Sequence, residues 1–174
     1  MTKSKDVPKK IELKVDSYRR LVNPYGKEEL NSNIETYILL VEVTKVPDGI
    51  SLKTNPRGQN MKTKVARRIK GGLLDDNNAF HIFNRGILIS AKEVTFDNKN
   101  SIAIIDMGDN PTLYGIVDGG HTYRAIIENK DSLVQKDNKQ YVKIEILTGI
   151  ETIFQDVADS RNTSVQVSDK AIAE

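Results

Sequence analysis

The sequence predicts an α+β domain, a mixed β-sheet with helices packed mainly on one face. Three observations point there. Isoleucine is abundant and falls mostly in short β-branched runs, the composition of strands. Met61, Val65, Ile69 and Leu73 recur at about one helical turn, the period of an amphipathic helix. The apolar run Leu113 to Val117 passes through two glycines directly into a helical pattern. A chain of 174 residues suits one domain covering 1–174. With no Trp and four Phe, its core must rest on Ile, Leu and Val.

Residues 1–10 are polar and Lys-rich and read as a flexible tail. Ile11, Leu13 and Val15 alternate with Glu12 and Lys14, the period of a half-buried strand. Asn23-Pro24-Tyr25-Gly26 marks a turn, and Glu28 to Asn33 fits a short helix. Tyr37 to Val46 is expected as a central strand, ended by Pro47-Asp48-Gly49. Gly71-Gly72 weakens the following helix near its end, and Asp75 to Asn78 forms a loop.

Phe80 to Phe83 and Ile87 to Ala91 read as strands around Asn84-Arg85-Gly86, a hairpin turn because Asn and Gly tolerate positive φ. On that reading the phenylalanines point inward and His81 points out. Val94 to Phe96 and Ile102 to Met107 flank Asp97-Asn98-Lys99-Asn100, a second hairpin signal. Leu113 to Val117 is a strand and His121 to Asn129 a helix. A polar loop from Lys130 to Gln140 leads to a strand from Tyr141 to Leu147. Glu151 to Ser160 reads as helical, broken by Arg161-Asn162-Thr163-Ser164. Ser168 resembles an N-cap of a last helix that barely starts before Glu174. The chain is therefore expected to lead a longer protein, or to dock that helix on the domain.

Several function classes find no support. There is no cysteine, hence no disulfide and no thiolate metal site, which fits a reducing cytoplasm. The N-terminus carries no apolar stretch of the signal-peptide kind, and no window approaches a membrane span. No Gly-x-Ser-x-Gly, His/Cys pair or Gly-x-x-x-x-Gly-Lys-Ser/Thr loop occurs.

The most informative segment is Asp118-Gly119-Gly120-His121-Thr122-Tyr123-Arg124. Two glycines allow a sharp turn and close approach to the backbone. The helix start then presents unpaired N–H groups and the positive end of the dipole, an anion site suited to phosphate or carboxylate. Arg124 has the planar fork to clamp an anion, and Thr122 suits a cap or a phosphate oxygen. Asp118 suits a metal, a ribose hydroxyl or the turn itself. The plainer alternative is an ordinary Asp-Gly-Gly turn beside a structural histidine.

Ile50 to Leu74 is a second signal. It holds seven cationic residues and no acid. Lys62, Lys64, Arg67, Arg68 and Lys70 are candidates to follow a nucleic-acid backbone. A solvated helix face is the alternative.

Asn55-Pro56-Arg57-Gly58-Gln59-Asn60, Phe83-Asn84-Arg85-Gly86-Ile87 and Ile116-Val117-Asp118-Gly119-Gly120-His121-Thr122, followed by Asn162, resemble the abortive-infection phage-resistance (AIPR) family. Its pattern runs Asn-x-Arg, Asn-Asn-Gly-Ile, Val-Asn-Gly-Gly-Gln-Thr and a later Asn. Three positions depart: Arg85 for Asn, Asp118 for Asn and His121 for Gln. They lean toward the Asp-Gly-Gln-His-Arg pattern of DNA-phosphorothioation clusters. Both patterns resemble, distantly, the ParB/sulfiredoxin group, whose Gly-x-x-Arg turn binds nucleotide phosphates. Gly120 to Arg124 has one residue more than that spacing.

The resemblance implies a ParB/sulfiredoxin-like core in which Asn55, Arg57, Asn84, Arg85, Gly119, Gly120, Thr122, Arg124 and Asn162 gather around a phosphate. It implies a nucleotide or nucleic-acid partner and leaves the cofactor unidentified, a nucleoside triphosphate being the candidate and Mg2+ compatible with it. Were the protein an enzyme, Asp118 or His121 would be the acid/base for hydrolysis or transfer at phosphate, with the arginines stabilising charge. A non-catalytic DNA-binding regulator using residues 50–74, and a protein-interaction domain, are the other two readings.

Overall fold

The computed structural model describes residues 8–54 and 63–162. Asn55, Arg57 and Lys62, the 1–7 part of the expected tail and the final helix after Ser168 lie outside the described residues. The strands are β1 (Lys10–Lys14), β2 (Ser17–Leu21), β3 (Glu35–Glu42), β4 (Ile87–Ala91), β5 (Glu93–Asp97), β6 (Ile102–Asp106), β7 (Gly115–Asp118) and β8 (Tyr141–Thr148). The helices are α1 (Lys64–Leu74), α2 (Phe80–Phe83), α3 (Gly120–Glu128), α4 (Lys130–Gln135) and α5 (154–162).

The strands form two sheets. One is antiparallel with order β1-β6-β5, and the other is mixed with order β2-β3-β8-β4-β7. Only β4 and β8 run parallel in the mixed sheet, paired from Ile87 with Ile144 to Ala91 with Thr148. They are its buried centre. Every residue of β4 is buried, because both faces of the strand are covered. Alternate residues Ile87, Ile89, Ile144, Ile146 and Ile116 join Leu73, Phe80, Tyr123 and Ile126 in the main core. The opposite face, Leu88, Val117 and Leu147, packs with Ala158 of α5. The small sheet contributes Ile11, Leu13, Val94, Ala103 and Ile105 to the main core.

The α+β class and the mixed sheet agree with the sequence. Five local expectations are corrected. Lys10 opens β1 opposite Asp106, so the tail does not reach residue 10. Residues 28–33 form turns, with Asn31 at φ 61, a value no helix interior adopts. Phe80–Phe83 is a helical turn instead of a strand. Asn77 caps its approach by accepting the Ala79 N–H at 3.2 Å, and Gln140 accepts the Phe80 N–H. Only Phe80 turns inward, while Ile82 and Phe83 are exposed and the half-buried His81 has an unpartnered Nδ1 among the described residues. Lys130–Gln135, expected as loop, is helical with Leu133 buried. The last break comes late, since α5 runs through Arg161 and Asn162.

The apolar face expected of α1 holds at Leu73, which is buried, and at Ile69, which packs against the main core; among the described residues Val65 alone departs, being half-exposed while its neighbour Ala66 is buried. Thr63 caps the helix by accepting the Ala66 N–H at 3.2 Å.

Two tyrosines tie separate segments together, and a third bonds within β3. The Tyr123 hydroxyl accepts the Ile50 N–H at 3.1 Å and donates to the Pro47 carbonyl at 2.7 Å, fixing α3 to that turn. Tyr37 donates to Glu35, and Tyr114 to Glu151 at 2.9 Å. Burial first, and for Tyr37 and Tyr114 the carboxylate partner second, pushes each phenol up to about 12 from 10.0. An unfolded chain therefore releases these protons at lower pH than the folded one. Stability is expected to hold below pH 10 and to fall as pH rises to about 12. Urea midpoints measured across that window check this, and Tyr123→Phe is expected to flatten part of the fall.

Candidate functional site

The site is built where two glycine turns touch. β7 ends at Asp118, and Gly119 takes φ 81 as the residue that caps α3. A Cβ on Gly119 would lie 2.3 Å from the Gly86 carbonyl oxygen and 3.0 Å from the Ile87 Cα. Gly86, at φ 86, is equally confined, since its Cβ would lie 2.3 Å from the Lys143 carbonyl oxygen. The antiparallel pairing of β4 with β7, carrying an irregularity between Leu88 and Ile89, sets these turns side by side.

Asn84 joins them. Its Oδ1 accepts the Gly86 N–H at 2.8 Å, and its Nδ2 donates to the buried Thr122 Oγ1 at 3.0 Å. Asn84 and Thr122 thus hold the turns in register. The Gly119 carbonyl accepts the Tyr123 N–H at 3.0 Å, the first bond of α3. Gly119 has no side chain to cap the N–H groups that follow it, and the first turn of α3 carries no acid. Those amides and the helix dipole give the corner a positive potential.

The corner opens into a cleft of about 330 Å³. Asn84, Arg85 and Gly86, Asp118 to Thr122, Arg68 and Ile69 of α1, and Asn162 of α5 line it. The Asn162 amide donates to the Ala158 carbonyl at 2.8 Å. Arg161 pairs with Glu145 of β8 at 3.0 Å, which pins α5 to the sheet. Segments far apart in sequence are therefore one surface. Among the described residues its charged side chains are two arginines, Arg68 and Arg85, and one acid, Asp118.

Other candidates stand elsewhere. Arg124 pairs with Glu128 at 3.0 Å along the exposed side of α3 and does not line the cleft. Lys64 is exposed at the start of α1. Arg67 and Lys70 lie on the flank of α1 facing Glu128 and Asn129, away from Arg68. The basic helix thus divides its cations between two surfaces. Asn55 and Arg57 lie outside the described residues, yet the chain approaching them is anchored near the cleft. Ser51 accepts the Ile116 N–H at 2.8 Å, and Thr54 donates to the Ile116 carbonyl.

Val65, Ile69 and Phe83 line the cleft without having been singled out as site residues by the sequence. Phe83 was hidden by its resemblance to a strand residue. The signal that finds it is Asn77-Asn78, whose second residue takes φ 55 and starts an isolated helical turn. Among the described residues no group of three or more His, Asp or Glu side chains gathers to hold a metal, and no helix is long and apolar enough to cross a membrane.

The family model described as AIPR protein matches residues 52–174, a span that contains every segment of the cleft. No curated protein and no solved structure matches the chain.

Proposed function

This chain belongs to the AIPR family, and from that premise we propose that it serves phage defence by binding the phosphate of a nucleotide or nucleic acid in the cleft over Gly119 and Gly120. The observation that carries this reading is the convergence of Arg68 and Arg85 on the glycine-led start of α3. Backbone amides and guanidinium forks are the donors that phosphate oxygens take best. Asp118 beside them suits a ribose hydroxyl or a cation accompanying the phosphates. Were the bound phosphate turned over, Asp118 and His121 are the cleft groups placed to move a proton.

Titration of ATP, CTP and cyclic dinucleotides by calorimetry tests the reading. A saturable response that Arg85→Ala weakens and Arg124→Ala leaves unchanged is expected. No response to any of them contradicts it. A second reading, duplex binding by the basic face of α1, is favoured by the exposure of Lys64, Arg67 and Lys70. Salt-dependent retention of duplex DNA, lost in Lys64→Ala/Lys70→Ala, would select that reading instead.

A further inference from the structure

Phe83 is 80 % exposed and Ile82 70 %, although both belong to a helical turn whose other aromatic, Phe80, is 3 % exposed. A phenyl ring left in water forgoes the gain that burial would bring. Its position suggests what covers it. Phe83 lines the cleft together with Gly119 and Gly120, and it also lines an adjoining hollow of about 130 Å³ bounded by Gly72, Asn77 and Phe80. Arg68, Ile69 and Asn84 are shared by both spaces. The ring therefore stands between a cationic, amide-lined corner and a mainly apolar recess.

We propose that Phe83 is the stacking platform for the base of a nucleoside phosphate whose phosphate lies at the start of α3. This rests on the phosphate-binding reading above and narrows it to a ligand with an unpaired base, as opposed to an inorganic or sugar phosphate. Every base offers a π-face, and an aromatic ring gains most from a flat, polarisable partner. Arg68 borders both spaces, so one guanidinium can meet the phosphate side or lie against the base. In a duplex both faces of each base are already stacked, which leaves Phe83 nothing to hold.

The chain contains no Trp, so Phe83→Trp places a single tryptophan at the proposed platform. Its fluorescence is expected to be quenched saturably by ATP and left unchanged by inorganic triphosphate, although triphosphate competes for the same protein. In the otherwise native chain, Phe83→Ala is expected to weaken ATP about ten-fold and to leave triphosphate affinity unchanged. Because the side chain is exposed, its loss is expected to leave the melting temperature within a degree or so. Equal affinity for ATP and triphosphate, with Phe83→Ala changing neither, overturns the base platform and keeps the phosphate site. Binding of neither probe, or binding of both that Arg85→Ala does not alter, overturns the phosphate reading and the platform with it.

Discussion

Gly119→Ala is expected to destabilise the protein by about 3–5 kcal/mol and to abolish ligand binding. Two effects add. A side chain at φ 81 is strained by its own backbone, at a cost of about 1–3 kcal/mol. The new Cβ would also meet the Gly86 oxygen at 2.3 Å, and that oxygen is backbone in a strand approach that cannot swing away. Relief requires the two turns to part, which breaks the Asn84–Thr122 link and opens the cleft. Gly71→Ala is the contrasting case. Its Cβ would meet nothing within 4 Å, and it lies inside α1. There the smaller backbone entropy loss is expected to raise stability by about 0.5–1 kcal/mol. Chemical unfolding of the two variants against the parent chain measures both signs.

The second large effect concerns charge. Replacing Arg68 and Arg85 together by Glu is expected to reduce nucleotide affinity by about 100-fold or more. Each guanidinium–phosphate contact is worth about 1.5–3 kcal/mol, and reversal adds repulsion. Both side chains are on exposed positions, so folding should persist. Thermal melting of the apo variant checks this, and calorimetric titration reads the loss. Unchanged affinity in the folded double variant would remove the arginines from the binding account.

The contrast between these residues shows how far the sequence could be read. The strand-to-helix turn at Gly119 was legible because its requirement is local: two glycines between a β-branched run and a helical pattern. The β5–β6 hairpin was legible for the same reason, since Asp97 to Asn100 supplies its turn chemistry next to the strands it joins. The contact of Gly86 with Gly119 was not, because it depends on β4 lying between β7 and β8 in the sheet. The sequence could expect that Asn84–Arg85–Gly86 and the Asp118 turn converge only through family resemblance.

Phe80–Phe83 was misread because four residues with alternating apolar character fit a strand and a helical turn alike. Its capping partner, Gln140, is 60 residues away. Val65 of α1 differs for a related reason. It shares its spacing with Ile69 and Leu73, which pack on the core, yet Ala66 is buried instead and Val65 lines the cleft. The arginines show the same limit. Arg67, Arg68 and Arg124 were alike as cations, and only tertiary placement gives Arg68 to the cleft and Arg124 to Glu128.

Phosphate binding at this corner requires an anion to meet the backbone at the start of α3. Amide chemical shifts recorded by NMR while inorganic triphosphate is added locate that contact directly. Saturable shifts centred on Gly119, Gly120, His121 and Thr122, with Arg85 and Arg68 responding alongside, are predicted. Shifts confined to the Arg67 and Lys70 side of α1, with the Gly119–Gly120 amides unmoved, would contradict it.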